Sequence, residues 1–475
     1  MGVRAVTPHP PGTDGDADRA LAAAARAIEE EYERRTPRSR ALHERARASL
    51  PGGDTRDGTV FRPYPTYVER AEGVHLYDVD GNELLDLTNN ASSLIHGHAH
   101  PAIVRAIAEQ AARGTAWNAP SEPQLRLAET LRERVPSLER VRFCNSGTEA
   151  NMMAIKAARA FTGRDRILKM DGAYHGTYEG TELDATEDAS PTGAAPRLAP
   201  VSRGIPRNET DNVLVAPFDD AAAAERLIAT YRDELAAAVV TPVFTRRGLT
   251  PPSSGYLRSL REATRRHAVL LVFDEVISFR LARGGAQERF GVAPDLTALG
   301  KIVGGGLPVG AFGGRADVME LFAPERPAIH HAGTFNGNPL TMAAGIATLE
   351  LLTPDAFARL ERLAERLRTR VERVADEAGV PLRIVVVGSL ASFGFAAGTA
   401  GAQLTELQRL LHLAMLNRGV RSGGLIAIPT VMSGGAIDRF ALALGEALRE
   451  LRPALEAVGI ATGPAALATG PRDRR

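Results

Sequence analysis

Apolar positions along the chain fall into two alternating kinds of run. Short stretches rich in β-favouring residues recur at 140–145, 166–170, 212–217, 236–242, 269–273 and 296–299. Most are apolar on successive residues, as a strand buried on both faces must be, and all are too short to serve as core helices. Between them, 147–161, 219–233 and 255–267 repeat apolar residues at three- and four-residue spacing, which predicts helices packed on one face. Strand, helix, strand at this rhythm predicts right-handed crossovers and a mostly parallel sheet flanked by helices, an α/β fold.

The flanks read differently. Residues 18–35 predict an alanine-rich helix with Asp18 as its cap, and 38–50 predict a second, stopped by Pro51-Gly52-Gly53. Alternation across the segment that follows, with a turn at Asp80-Gly81-Asn82, predicts a small meander of strands. Residues 180–205 are rich in Pro, Ala and Thr without periodicity; so long a loop inside a domain commonly covers a site. From 353 onward a long amphipathic helix (354–378) leads to two strand-like pieces (RIVVVG, ASFGFAA), a helix at 402–417 and a last helix at 437–457. The expected division is a variable extension at 1–37, disordered over its first 17 residues, an N-terminal segment at 38–95, a large domain at 96–350, a smaller α+β C-terminal domain at 351–460 and a loose tail at 461–475.

Composition narrows the function classes. The chain has 475 residues, 44% hydrophobic and 24% charged, as expected of a globular protein of two domains or of one large domain with appendages. Its 57 basic residues balance 57 acidic ones, leaving no field to hold nucleic acid or a membrane surface. A single cysteine, Cys144, rules out an internal disulfide, no apolar stretch reaches a membrane span, and the N-terminus lacks the apolar core of a signal peptide. A cytoplasmic protein is expected.

The chemistry concentrates in LLVFDEVISFRLARGGAQERFGVAPDLTALGKIVGGGLPVGAFGG. The chain contains only three lysines, Lys156, Lys169 and Lys301; its other basic residues are arginines. Lysine, unlike arginine, can lose its proton and attack a carbonyl. A strand ending at Asp274 and a Lys301 set before Gly304–Gly306 offer the acid and the amine that pyridoxal 5'-phosphate needs from a protein, an acid for the pyridine nitrogen and a lysine for a Schiff base. Ser146-Gly147-Thr148 lies at a strand-to-helix turn, where hydroxyls and free amides form either a phosphate site or an ordinary cap. Tyr174-His175 follows a strand and could lie against a planar ring. His96, His98 and His100 lead into a helix start at Pro101 and are read as loop, not as metal ligands. Trp117, the sole tryptophan, stands in a polar loop as a pocket wall or as packing. Arg56 and Arg62 lie in the segment ahead of the meander.

Taken together, FCNSGTEANMMAIKAARAFTGR, DGAYHG, FDEV, DLTALGKIVGGGLPVGAFGG and GTFNGNPLTMAAG resemble the class III aminotransferases, pyridoxal-phosphate-dependent transferases of fold type I. The nearest resemblance is to glutamate-1-semialdehyde 2,1-aminomutase and to β-amino-acid transaminases. By that resemblance the protein is an aminotransferase passing an amino group between an amino acid or amine donor and a keto acid, or alternatively an intramolecular aminomutase. The resemblance gives Lys301 the Schiff base and the later proton transfer, and Asp274 the pyridine nitrogen. It makes Ser146, Gly147 and Thr148 the phosphate cup, Tyr174 and Val276 the two faces of the ring pocket, and Thr334 a reach to the phosphate of a partner subunit, which implies a homodimer with shared sites. Arg56 stands where a substrate carboxylate is bound, with Arg62 as its rival, and Trp117 is assigned to the substrate pocket. Three departures stand out. Thr241-Pro242 occupies the place of a usual Glu-Pro, VISFRLARGG lacks the glycine of the mutase pattern, and RSGGLIAIP offers only Arg421 for a second carboxylate contact.

Overall fold

The large sheet is built from β1 (Arg140–Cys144), β2 (Arg166–Met170), β3 (Val213–Ala216), β4 (Leu235–Val240), β5 (Leu270–Asp274), β6 (Leu296–Gly300) and β7 (Gly310–Gly314), in the spatial order β1-β7-β6-β5-β4-β2-β3. The neighbour pairs β6–β5, β5–β4, β4–β2 and β2–β3 are parallel, and β7 runs antiparallel to both β6 and β1. These come from a computed structural model, which describes residues 14–186, 196–246, 248–325, 327–395 and 401–460. The start of the expected N-terminal disorder, the middle of the 180–205 loop and the tail from 461 lie outside the described residues.

Side-chain parity explains why the strands are apolar throughout. On β5, Leu270 and Val272 enter one buried cluster with Ala150, Met153, Ala154 and Ala157 of α1 (Gly147–Thr162). Leu271 and Phe273 enter a second cluster with α2 (Ala221–Thr230) and α3 (Tyr256–Arg266) on the opposite face. Successive residues of a strand point to opposite faces, so helices on both sides demand apolar residues at every position. Parity also places Asp274, even-numbered like Leu270 and Val272, on the α1 side of the sheet.

β7 escaped the apolar-run pattern because its sequence is GAFGG. A Cβ built on Gly310 would lie 2.0 Å from the Ser146 carbonyl oxygen, on Gly313 2.2 Å from that of Arg140, and on Gly314 2.1 Å from that of Asp295. Close backbone approach, not propensity, selects this strand. Gly310→Ala is therefore expected to destabilise the protein by about 3 kcal/mol or more, the upper range for overpacking a rigid core. Denaturant unfolding measures this directly; a loss below about 1 kcal/mol would mean that β1 and β7 separate more easily than this packing implies.

The unit that contains this sheet comprises Asn90–Glu361 and Val387–Leu390. A second unit combines the described residues up to Asn89 with Arg362–Val386 and the described residues from Ala391. In it, the meander Val68–Glu72, His75–Asp78 and Glu83–Asp86 is extended in parallel by Val420–Arg421. The first helix runs Asp14–Arg35 and packs against Ala402–Asn417 and Gly434–Ala457. It starts four residues before Asp18, so Asp18 is not its cap. The helix takes in Asp14-Gly15-Asp16-Ala17 despite the weak helix propensity of Asp and Gly, and the Asp18 carboxylate accepts instead from Gln403 Nε2 at 3.4 Å. The 180–205 segment is not wholly irregular either: Leu183–Ala185 pairs antiparallel with Leu198–Pro200.

Candidate active site

Five strand ends converge on one cavity of about 340 Å³ in the larger unit, enough for a small organic group. β5 supplies Asp274, β6 Lys301, β1 the Asn145–Thr148 turn, β2 the Ala173–Gly176 turn and β4 the segment from Thr241 to Arg246. This is the carboxyl edge of a parallel sheet, where an open α/β fold binds ligands.

Three donors hold the Asp274 carboxylate. Asn151 Nδ2 of α1 donates to Oδ2 at 2.9 Å, His175 Nδ1 meets the same oxygen at 2.8 Å, and the Val276 amide donates to Oδ1 at 3.0 Å. The His175 contact requires the proton on Nδ1, because a carboxylate only accepts. Asp274 and His175 are both buried, and among the described residues His175 Nε2 and Asn151 Oδ1 find no partner. The result is a carboxylate fixed in the cavity wall.

Lys301 follows β6 directly and adopts φ +49°, the left-handed region a non-glycine residue enters at a cost of about 1–2 kcal/mol. Burial lowers the pKa of its amine below the ordinary lysine value, and the charge of Asp274 pulls it partly back. A part-buried amine with a weakened hold on its proton, facing a carboxylate, is equipped to attack a carbonyl and to carry a proton.

Two glycines shape the floor. A Cβ on Gly147 would stand 2.9 Å from both methyls of Val276, and one on Gly176, at φ +97°, 2.3 Å from Thr148 Oγ1. Gly147 thus packs its backbone directly against Val276, and the Gly147 and Thr148 amides open the first turn of a 16-residue helix, where an anion is favoured. Ser146 Oγ accepts from the Glu149 amide at 3.1 Å, so it acts as the cap; its hydroxyl hydrogen remains able to turn to an anion.

Of the residues singled out from the sequence, the structure gathers Asp274, Lys301, Gly147, Thr148, Tyr174 and Val276 around the cavity. Ser146 is adjacent but outside its lining. Thr334 is exposed and outside it, although Asn336 two residues on receives Asn145 Nδ2 at 2.9 Å from the cavity wall. Trp117 is 42% exposed, packs over Gly114 and does not line the cavity. Arg56 and Arg62 belong to the smaller unit, where Arg62 pairs with Glu406 at 3.2 Å. His96 bonds the Thr348 carbonyl at 3.0 Å, burial lowers its pKa to about 4, and His100 stands at the N-cap of the helix Pro101–Ala111.

The structure adds residues that the sequence did not single out and gives one a different part. Asn151 steadies Asp274, as does His175, read from the sequence only as an aromatic, while Asn90 and Ser93 enter the wall from a turn in which Asn90, Ala91 and Ser92 all have left-handed φ. Buried Arg280 donates to the Ser92 carbonyl at 2.9 Å and so fastens that turn. Arg246 completes the far wall beside Tyr174 and Thr245.

Comparison with known proteins agrees with this geometry. A family model described as Aminotransferase class-III matches residues 60–425. A glutamate-1-semialdehyde 2,1-aminomutase of Sorangium cellulosum is 43% identical over 396 residues, 81% of this chain and 89% of that protein. The crystal structure of an omega-transaminase from Sphaerobacter thermophilus is 45% identical, with a TM-score of 0.84 over 87% of this chain and 98% of that one. A solved transaminase with PLP bound is 37% identical, with a TM-score of 0.83 over 89% of this chain and 99% of that one.

Proposed function

The chain belongs to the class-III aminotransferase family, and from that premise we propose that Lys301 and Asp274 are its catalytic pair. The protein is a pyridoxal 5'-phosphate-dependent enzyme that moves an amino group between an amino acid or amine donor and a keto acid. The single observation that carries the assignment of roles is the pairing of a proton-weakened Lys301 amine with an Asp274 carboxylate fixed by three donors in one cavity.

The residues fit the cofactor. Gly147 and Thr148 would hold its phosphate at the N-terminus of α1, with Ser146 turning its hydroxyl inward; Val276 and Tyr174 would bracket its ring, and Asp274 would face its nitrogen. When bound, pyridoxal 5'-phosphate supplies an aldehyde that condenses with amines and a ring that draws off the electron pair left by a departing proton. Asp274 Oδ1 and Oδ2, held by Val276, Asn151 and His175, keep a negative charge where the ring nitrogen gains positive character. Lys301 Nζ would take the proton from the substrate carbon that bears the nitrogen and release it on the cofactor's side, a role that needs an amine able to be neutral near operating pH. The Asn90–Ser93 turn and the Gly306–Val309 segment complete the wall that would border the cofactor.

A second reading, intramolecular amino transfer, is favoured by one observation, the 43% identity to a protein described as an aminomutase. Absorbance separates the two. For an aminotransferase, a donor alone bleaches the cofactor band and a separate keto acid restores it. Isomerisation of one substrate with no second partner would establish the aminomutase instead.

The exposed position of Thr334, off the wall of its own cavity, supports a homodimer in which it serves the partner's site; a monomer mass in sedimentation would sink this. Cytoplasmic residence rests on the free, buried Cys144. No helix among the described residues is long and apolar enough to cross a membrane. Recovery of the native protein from a membrane or secreted fraction would contradict that placement.

A further inference from the structure

We propose that Arg246 is the receptor for a substrate carboxylate, so that amino and keto acids are preferred over simple amines; this rests on the aminotransferase reading above. Among the described residues lining the cavity, the side chains that carry full charge are Asp274, Lys301 and Arg246. The first two are committed to the reaction itself. Arg246 is the one guanidinium in the wall, and a guanidinium presents paired N–H donors that match a carboxylate edge.

Its surroundings leave those donors available. The nearest anion is Asp184 on the hairpin strand Leu183–Ala185, and Arg246 Nη1 stands 3.7 Å from its Oδ2, beyond hydrogen-bond length. Asp184 is already claimed: its Oδ1 accepts from Lys169 Nζ at 2.8 Å and from the Gly172 amide at 2.9 Å. Lys169 is fully buried and donates also to the Leu183 carbonyl at 2.7 Å, so it is fixed in place. Asp184 is thus shared between Lys169, which Asp171 also faces, and Arg246, and the arginine is the member of the row that lines the cavity. Asp184 holds the guanidinium loosely in place without neutralising it.

The backbone that presents Arg246 is stiff. Phe244 and Thr250 exchange both backbone hydrogen bonds, at 2.9 and 2.8 Å, and close the loop that carries Arg246. The Phe244 ring is buried against Phe218, centroids 5.3 Å apart. A receptor on a fixed stem loses little freedom when it binds. At the β4 end the lining residue is the uncharged Thr241, which turns its hydroxyl onto the Val243 carbonyl at 3.1 Å. Among the described residues of this wall, the β4 segment therefore presents a cation and no acid.

The test uses the purified holoenzyme and its Arg246→Gln and Arg246→Lys variants. Donors bearing a carboxylate (alanine, 3-aminobutanoate, 4-aminobutanoate) are compared with 2-aminobutane and 1-phenylethylamine, which lack one. For Arg246→Gln the ratio of kcat/KM between the two classes is expected to fall about 10- to 100-fold, through KM, the range for losing a hydrogen bond to a charged group. Arg246→Lys is expected to fall between. An equal fall for both classes, or loss of cofactor absorbance in Arg246→Gln, would overturn the proposal by assigning Arg246 to the cofactor or to the fold. Wild-type bleaching by the amines but by no carboxylate donor would overturn it too. Bleaching by none of the donors would instead take down the aminotransferase reading beneath it.

Discussion

Replacing Lys301 by alanine is expected to cut turnover by about 10⁴-fold or more, because in the proposed roles one amine serves both as the cofactor's attachment point and as the proton carrier. Folding is not the cause of the loss. Alanine pays a similar left-handed backbone cost at φ +49°, and it buries no charge. Lys301→Arg separates charge from proton transfer: guanidinium keeps the positive charge but cannot give up a proton, so it is expected to fail as badly as alanine. The chain supplies its own control in the other buried lysine. Lys169 spends its amine on Asp184 and the Leu183 carbonyl. Borohydride reduction of the holoenzyme should then add the cofactor's mass to the Lys301 peptide and leave the peptides of Lys156 and Lys169 unchanged. Label on Lys169, or a Lys301→Ala variant within tenfold of wild type, would remove the basis of the catalytic assignment.

Most of this sheet was legible in the sequence because burial on both faces writes a continuous apolar run; β2 was bounded to the residue at Arg166–Met170. β7 was not, since GAFGG is dictated by how closely Ser146, Arg140 and Asp295 approach it, and no local pattern encodes that distance. The proposed catalytic acid and amine were legible for a different reason: a chain with three lysines makes each one conspicuous. Their supports were harder to see. Asn151 is a lone polar residue on the buried face of an alanine-rich helix, a signal that was present, because such a group needs a buried partner. His175 was noticed only as an aromatic; that its ring turns to Asp274 depends on the Ala173–Gly176 turn folding under β5. The left-handed φ of Lys301 leaves no trace in composition. Arg246 was hidden among 54 arginines, and only the fold brings it to the cavity wall.

Asp274→Asn keeps the shape of the side chain and removes its charge, and is expected to lower kcat/KM by about 10²–10³-fold, the scale of losing one preorganised electrostatic contact. The geometry predicts a structural penalty as well. Oδ2 receives both Asn151 and His175, and Oδ1 receives the Val276 amide. An asparagine offers one oxygen, so whichever way its amide turns, an NH₂ group faces at least one existing donor, at a cost of about 1–3 kcal/mol. Asn151→Ala takes away one donor while the charge stays, and is expected to cost no more than about tenfold; the difference between the two variants isolates the charge. A second readout ties the pair together. In cofactor-free protein, burial depresses the Lys301 amine and Asp274 pulls it back toward its usual range. Removing that negative charge disfavours the ammonium, so the Lys301 midpoint should move to lower pH in Asp274→Asn. The pH dependence of the rate at which cofactor-free protein takes up pyridoxal 5'-phosphate reports that midpoint. A midpoint that stays put or rises would show that the two groups do not share a field, and the site as built from β5 and β6 would not hold.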